Sequence, residues 1–171
     1  MRYFFSFVML LSSLLVQSQN YNPVSWTYSL SDEGNSEYML EFEATIDEGW
    51  TVYSQFISDE GPVPTSINFE SEGVSKVGES EELGHRKAGM DKIFEIEVIK
   101  FLSDEPFIIR QKLKLDEGQN KIVGYLTYMT CDNEKCLPPT DVEFSFDVNN
   151  LGTNDSRNTG RASNEQHEQS R

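Results

Sequence analysis

Apolar and polar residues alternate along most of this chain, which is the pattern of β-strands that bury one face and expose the other. Between Leu40 and Ile46, for example, every second residue is apolar and the residues between are Glu or Thr. Similar segments recur along the chain, and none shows the spacing of an amphipathic helix. The predicted strands are 24–30, 38–46, 50–56, 66–69, 93–101, 107–115, 122–129 and 142–148.

Turn-forming residues separate these segments. Gly, Asn, Asp or Pro cluster at 32–35, 47–49, 60–62, 103–106 and 116–120. Because such residues make tight reversals, seven to nine short strands at this spacing predict an antiparallel β-sandwich. Residues 79–90 break the pattern: the segment is mixed in charge and contains glycines, so we expect a long loop, either a functional lid or a surface excursion.

The two ends differ from this central part. Arg2 followed by the apolar run 3–16 predicts a cleaved signal peptide over 1–18, since the run is shorter than the roughly 20 residues that cross a bilayer. Residues 151–171 are almost entirely polar, which predicts a disordered tail. Residues 19–150 have the size of one domain. We therefore expect an exported protein that is not inserted in a membrane after signal cleavage.

The charge excludes some functions. With 29 acidic against 14 basic residues the formal net charge is −15, and such a surface repels nucleic acid and anionic membranes. A solvated acidic exterior that keeps an exported domain in solution accounts for this composition. Nucleic acid is therefore not an expected partner.

Two cysteines, Cys131 and Cys136, carry the candidate chemistry. In an oxidising compartment, thiols this close in sequence can form a disulfide. The six-residue ring stabilises the fold by only about 2 kcal/mol in the loop-entropy model, and the polar loop 132–135 favours solvent access to at least one sulfur. Two interpretations stay open at this point: a redox pair that exchanges with partners, or an inert brace of a hairpin.

Metal binding is not expected. Structural zinc takes four ligands, and only His85 and His167 could join the two sulfurs. A hydrolase that pairs a cysteine with His85 lacks a supporting motif. No metal or organic cofactor is therefore predicted.

The segment around the cysteines resembles a known family. Residues 124–128, the cysteine pair in its short acidic loop, Pro138-Pro139-Thr140 and the alternating last strand are similar to the N-terminal periplasmic domain of the thiol:disulfide interchange protein DsbD. Residues 46–53 resemble that family's strand ending in an aromatic pair. The resemblance extends over most of 24–148, although only the cysteine-proline segment is specific, and it implies an all-β, immunoglobulin-like sandwich.

The resemblance also implies roles for particular residues. Cys131 and Cys136 would be the redox pair, with Cys136 attacking the partner's disulfide and Cys131 resolving the mixed disulfide. Trp50 and Tyr53 would line the approach to the sulfurs. A cap loop would shield them, formed by Glu81, Glu82 and Leu83.

This chain departs from the family's pattern in two places. Four residues separate its cysteines where the best-known members have five, and Leu83 stands where the cap loop has an aromatic. The membrane electron conduit and the thioredoxin-like domain of DsbD have no counterpart in the sequence, so we expect a stand-alone version that receives electrons from another protein, acts only as a carrier, or has lost the redox role.

The predicted function is thiol:disulfide exchange in the periplasm or another extracytoplasmic space. The expected partners are exported thioredoxin-fold proteins, with a separate membrane electron conduit as a further candidate. The alternative is a non-catalytic immunoglobulin-like binding or assembly module whose disulfide only pins a hairpin. Thiol:disulfide interchange is the one enzymatic activity that the sequence suggests.

Overall fold

A computed structural model of the protein describes residues 22–151, and within them the chain forms eleven β-strands and one short 3-10 helix. The predicted signal peptide, and the predicted tail apart from Leu151, lie outside this range. The strands are β1 (Val24–Gly34), β2 (Glu37–Ile46), β3 (Thr51–Tyr53), β4 (Ser66–Phe69), β5 (Val74–Leu83), β6 (Arg86–Met90), β7 (Glu97–Leu102), β8 (Phe107–Leu115), β9 (Lys121–Tyr128), β10 (Thr130–Cys131) and β11 (Thr140–Asp147), followed by the 3-10 helix Val148–Asn150.

The strands form three sheets. The first sheet has the order β1-β2-β8-β5, the second β10-β3-β7-β6 and the third β11-β9-β4. Every neighbouring pair is antiparallel. The all-β antiparallel architecture predicted from the alternation is therefore confirmed. Among residues 22–151 there is no helix with the length and apolar character needed to cross a bilayer.

Aromatic side chains from different sheets meet in the main core. The Trp26 ring of the first sheet lies 5.4 Å from that of Tyr128 in the third, and the rings of Phe42 and Phe144 are 5.2 Å apart. All four side chains are buried. Burying a large apolar side chain stabilises a fold by roughly 1.5–3 kcal/mol. These contacts therefore hold the sheets together with their apolar faces turned toward the core.

A second, smaller cluster lies on the second sheet. It consists of Tyr53 of β3, Val98 of β7 and Cys131 of β10, all buried. Residues from the connecting loops pack around it, together with Cys136: Ile57, Phe94, Ile96 and Met129. The cysteine pair thus sits on the side of the second sheet that the main core does not fill.

The expectation of a long loop over 79–90 is wrong. Residues up to Leu83 belong to β5, which pairs with β8, and residues from Arg86 belong to β6, which pairs with β7. The chain passes from the first sheet to the second at Gly84, where φ is 124° and a Cβ would lie 2.6 Å from the carbonyl oxygen of Pro106. Both strands lie at sheet edges and are largely exposed, so they lack the apolar alternation on which the prediction depended.

Two predicted strands are shorter than expected. The segment 50–56 pairs only over β3, and the segment 93–101 begins its pairing at Glu97. Residues 91–96 instead form a loop, closed by hydrogen bonds from the Asp91 N–H to the Ile96 carbonyl and from the Glu95 N–H to the Asp91 carbonyl. This β6–β7 loop and the segment 54–65 after β3 both contact the cysteine cluster, as does Met129 between β9 and β10.

Candidate redox site

A hairpin holds the two cysteines opposite each other. Cys131 ends β10 and pairs with Thr51 of β3, while Cys136 forms an isolated bridge with Cys131 on the returning chain. The Asp132 carboxylate accepts hydrogen bonds from the N–H groups of Glu134 and Lys135, at 2.7 and 2.8 Å. These bonds lower the pKa of Asp132 and fix the turn that sets the sulfurs side by side.

The cysteines are joined by a disulfide, as the sequence predicts. The two sulfur-bearing residues differ sharply in exposure: Cys131 is 0% exposed, whereas Cys136 is only half-buried. A reagent or protein that approaches from solvent therefore reaches Cys136 first. The pair has one accessible end and one end inside the fold.

Tyr53 connects the buried sulfur to a carboxylate. The Tyr53 hydroxyl lies 2.8 Å from Asp91 Oδ2 and 3.2 Å from Cys131 Sγ. It carries one proton, and an ionised carboxylate is a much stronger acceptor than a disulfide sulfur. The hydroxyl therefore donates to Asp91 and turns its oxygen lone pairs toward Cys131. Burial, then the hydrogen bond to Asp91 and its charge, raise the pKa of Tyr53 above its usual range.

Asp91 is ionised although its side chain is 0% exposed. Burial by itself would raise the pKa of Asp91, but the hydrogen bonds from Lys100, Phe94, Tyr53 and Ile93 outweigh it and lower the pKa to about 2. Lys100 Nζ lies 2.6 Å from Asp91 Oδ2 and 5.2 Å from the centre of the Tyr53 ring. A buried charge is tolerated because it is paired and fully hydrogen-bonded.

Phe94 is the aromatic side chain that the β6–β7 loop brings to the cysteines. It packs against the cluster of Tyr53, Val98 and Cys131, and its ring meets that of Tyr53 edge to face at 6.3 Å. The other loop lies close against it: a Cβ on Gly61 would stand 3.6 Å from the Cβ of Phe94. The two loops thus enclose the buried end of the disulfide together.

Of the residues predicted to line the site, Tyr53 contacts a sulfur directly and Trp50 contacts the hairpin between the cysteines. Trp50 is mostly buried in the main core, and its ring lies 5.8 Å from Lys135 Nζ at the tip of the cysteine hairpin. The tryptophan thus reaches the turn between the cysteines through this cation–π contact.

The three residues predicted to form a cap lie on β5. Glu82 accepts hydrogen bonds from Ser54 Oγ at 2.6 Å and from the Gln55 N–H at 2.7 Å, which ties β5 to the segment that follows Tyr53. Glu81 lies 3.7 Å from Arg110, and Leu83 pairs with Ile108 of β8. A capping role for these residues stays a prediction, and it now concerns a strand end rather than a loop.

Sequence reasoning missed Asp91, Phe94 and Lys100. The apolar residues of 93–101 suggested a strand, so the loop that carries Phe94 was not recognised. A signal was present in the position of Asp91, an aspartate whose side chain accepts from the N–H groups of Ile93 and Phe94 at 2.7 and 3.0 Å. Aspartate is the residue type that initiates such turns by accepting from the backbone a few residues on.

Two solved structures have folds similar to that of this chain. The chain has a TM-score of 0.56 to the reduced N-terminal domain of DsbD from Neisseria meningitidis, with 14% sequence identity over 82% of this chain and 91% of that one. It has a TM-score of 0.53 to the N-terminal periplasmic domain of ScsB from Proteus mirabilis, with 21% identity over 77% of this chain and 49% of that one. No family model and no curated protein matches the sequence.

The protein is therefore an all-β, immunoglobulin-like sandwich with a disulfide-bonded cysteine pair. The particular resemblance predicted from the sequence, to the N-terminal domain of DsbD, is confirmed by the likeness of the two folds.

Proposed function

We propose that this chain is an exported thiol:disulfide exchange domain that passes two electrons between thioredoxin-fold partners through Cys131 and Cys136. The observation that carries the proposal is the unequal burial of two bonded sulfurs, with Cys136 half-buried and Cys131 fully buried beside Tyr53. A brace needs no accessible end, whereas exchange needs one. The likeness of the fold to the N-terminal domains of DsbD and ScsB supports the same function.

The reaction starts from the reduced pair. The Cys136 thiolate attacks one sulfur of the partner's disulfide, so a mixed disulfide forms and the partner's second sulfur leaves as a thiolate that takes up a proton. The Cys131 thiol then loses its proton and attacks Cys136, which releases the partner's first sulfur as a thiolate that also takes up a proton. The partner has gained two electrons and two protons, and the chain has become a disulfide. The reverse sequence with a reducing thioredoxin-fold protein restores both thiols.

Tyr53 assigns different tasks to the two cysteines. Because Asp91 holds the hydroxyl proton, the Tyr53 oxygen is free to accept a hydrogen bond from the thiol of reduced Cys131, which favours the protonated form of that thiol. Cys136, outside this arrangement, is then the cysteine that attacks first. When Cys131 leaves as a thiolate, rotation of the same hydroxyl offers it a hydrogen bond.

The buried end of the pair is shielded by Phe94 in this proposal. The aromatic side chain that packs on the cysteine cluster comes from the β6–β7 loop, while Leu83 of the predicted cap lies on β5. Glu82 supports the shield indirectly, because it fixes Ser54 and Gln55 at the start of the second enclosing segment. No metal or organic cofactor takes part in the exchange.

The periplasm is the proposed location, with a membrane electron conduit as a further source of electrons. An exported compartment agrees with the predicted signal peptide, and the ScsB domain with a similar fold is periplasmic. Exposed apolar side chains on the segment after β3, among them Phe56 and Val63, offer a surface on which a partner can dock beside Cys136.

The reduction potential tests this function. We would equilibrate the full chain with glutathione buffers and measure the disulfide fraction by alkylation and mass spectrometry. A value within roughly −180 to −270 mV, the range of protein exchange catalysts, is expected for a carrier. A value below about −300 mV, with loss of structure on reduction, would contradict exchange and support the binding-module alternative, in which the disulfide is structural.

Trapping tests the order of attack. With Cys131 replaced by Ala, Cys136 is expected to form a stable mixed disulfide with a thioredoxin-fold variant whose single remaining cysteine carries a 5-thio-2-nitrobenzoate leaving group, because neither protein then holds a second thiol that resolves it. The matched Cys136→Ala variant leaves only the buried Cys131 and should trap little. Equal trapping by both variants would show that burial does not select the attacking cysteine.

A further inference from the structure

We infer that Lys100 is a positioning residue for the redox site: through its ion pair with buried Asp91 it holds the β6–β7 loop, and with it Phe94, against the cysteine cluster. The inference deepens the proposed function, because a disulfide whose buried end is shielded should be reduced slowly by small reagents, which reach only Cys136. Its test measures the disulfide itself and does not require a partner.

The two oxygens of the Asp91 carboxylate accept hydrogen bonds from different parts of the fold. Oδ1 accepts from the N–H groups of Ile93 and Phe94, which shapes the loop, at 2.7 and 3.0 Å. Oδ2 accepts from Tyr53 on β3 and from Lys100 on β7, at 2.8 and 2.6 Å, which ties the loop to the sheet. Lys100 is the cation in this set, so it supplies the charge that allows a fully buried carboxylate to stay ionised.

The ionisable groups around Asp91 come from several elements. Lys100 and Tyr53 contact it from β7 and β3, and Cys131 on β10 lies behind the Tyr53 hydroxyl. Lys87 on β6 pairs with Lys100 across the sheet and is exposed, as are Lys92 and Glu95 in the loop itself. The exposed groups are solvated, so removal of Lys100 leaves the buried carboxylate without a desolvated counter-charge.

The loss of Lys100 has a predictable dependence on pH. In the wild type Asp91 has a pKa near 2 with the loop closed and about 3.8 when exposed, so closure is equally favoured at all pH values well above 4. Without Lys100, the Asp91 carboxylate keeps its hydrogen bonds from Phe94, Tyr53 and Ile93 but loses its counter-charge, so the pKa of Asp91 in the closed loop rises relative to wild type. Closure is then weaker than in the wild type wherever Asp91 is ionised, and the difference shrinks as acid protonates the carboxylate.

The experiment follows reduction of the disulfide in the oxidised full chain. A water-soluble phosphine converts the disulfide to two thiols and takes oxygen from water to become a phosphine oxide, and the rate is compared with wild type at each pH so that the reagent's own ionisation cancels. The variants are Lys100→Met, the charge-conserving Lys100→Arg, and Lys112→Met. Lys112 pairs with Glu37 at 3.6 Å on the first sheet, so it controls for the loss of any lysine ion pair.

We expect Lys100→Met to be reduced at least about tenfold faster than wild type at pH 8, and this ratio to shrink toward pH 3, where Asp91 becomes protonated once its counter-charge is removed. Lys100→Arg, which keeps the positive charge, should be reduced about as slowly as wild type. Lys112→Met should have the wild-type reduction rate at both pH values. Circular dichroism of each oxidised variant establishes that the sandwich is folded.

Two outcomes would overturn the inference: an unchanged rate in Lys100→Met, or an increase that does not vary with pH, which would indicate general loosening. Failure of the proposed function has a different signature. Suppose that the ratio of the Lys100→Met and wild-type reduction rates depends on pH, but the reduction potential of the disulfide is below about −300 mV. Lys100 would then be a positioning residue for a structural disulfide.

Discussion

Asp91 is the residue whose contribution to stability depends most clearly on pH. Its pKa is about 2 in the folded protein against an ordinary value of 3.8, so the folded state favours the ionised form. The resulting stabilisation is fully present above about pH 4 and is lost as the pH falls through the folded pKa. The shift corresponds to about 2 kcal/mol of folding free energy, an order-of-magnitude figure.

Replacing Asp91 with Asn tests this prediction. The free energy of unfolding, measured with urea, should fall by about 2 kcal/mol relative to wild type near neutral pH, and the difference should shrink toward pH 2, where about half of wild-type Asp91 is protonated in the folded state. Asp104→Asn is a suitable control, since that carboxyl is exposed and pairs with exposed His85. A deficit that persists unchanged in acid would show that Asp91 acts through shape rather than charge.

Among individual residues, only part of the site could be predicted from the sequence. Cys131 and Cys136 are found from their spacing and Tyr53 from the resemblance, because these residues lie in recognisable segments. The contact between Tyr53 and Asp91 joins residues 38 apart in sequence, and nothing in the local pattern indicates that they meet. Which carboxylate meets Tyr53 depends on how β3 and the β6–β7 loop are placed, which is a property of the tertiary fold.

At the scale of elements, strands with a buried face were predictable and polar edge strands were not. In β8 and β11 alternate residues are buried, and both strands were predicted nearly to their ends. In β5 and β6 nearly every residue is exposed or only partly buried, so the signal that comes from burying one face is missing. Their position is fixed instead by pairing with β8 and β7, which a single sequence does not show.

Gly124 shows how closely the third sheet is packed. It lies in the middle of β9, where a Cβ would stand 2.1 Å from the Asn68 carbonyl oxygen and 2.8 Å from the Phe144 ring. We expect Gly124→Ala to lower the free energy of unfolding by about 3 kcal/mol, because neither the backbone of β4 nor a core ring can move away freely.

The matched control for this substitution is Gly89→Ala on β6, where a Cβ would meet no atom within 4 Å. Urea unfolding of both variants measures the difference between them. A similar effect at the two positions would mean that the glycines act through backbone freedom rather than through the space available for a side chain.

For the whole molecule, a net charge of −15 surrounds a site with exposed apolar side chains. Phe56 is 52% exposed and Val63 is 37% exposed, on the segment that encloses the cysteine cluster. Val63 donates its N–H to Met129 Sδ at 3.4 Å, and Met129 packs on that cluster. An acidic surface keeps copies of the chain apart, so the apolar side chains remain available to a partner.

We predict that Phe56→Asp and Val63→Asp slow electron exchange with a thioredoxin-fold protein by about tenfold each, because exposed apolar residues beside a reactive group commonly anchor a docked partner. Reduction by a small phosphine should not slow, since that reaction needs no docking surface. Val77→Asp is the matched control: Val77 is also 37% exposed, and the substitution adds the same charge, but it lies on β5 in the first sheet. Stopped-flow fluorescence with a reduced thioredoxin-fold protein measures the rates. If Val77→Asp slows exchange as much as the two site variants, added charge and not lost apolar contact controls the encounter, and docking beside Cys136 would have to be abandoned.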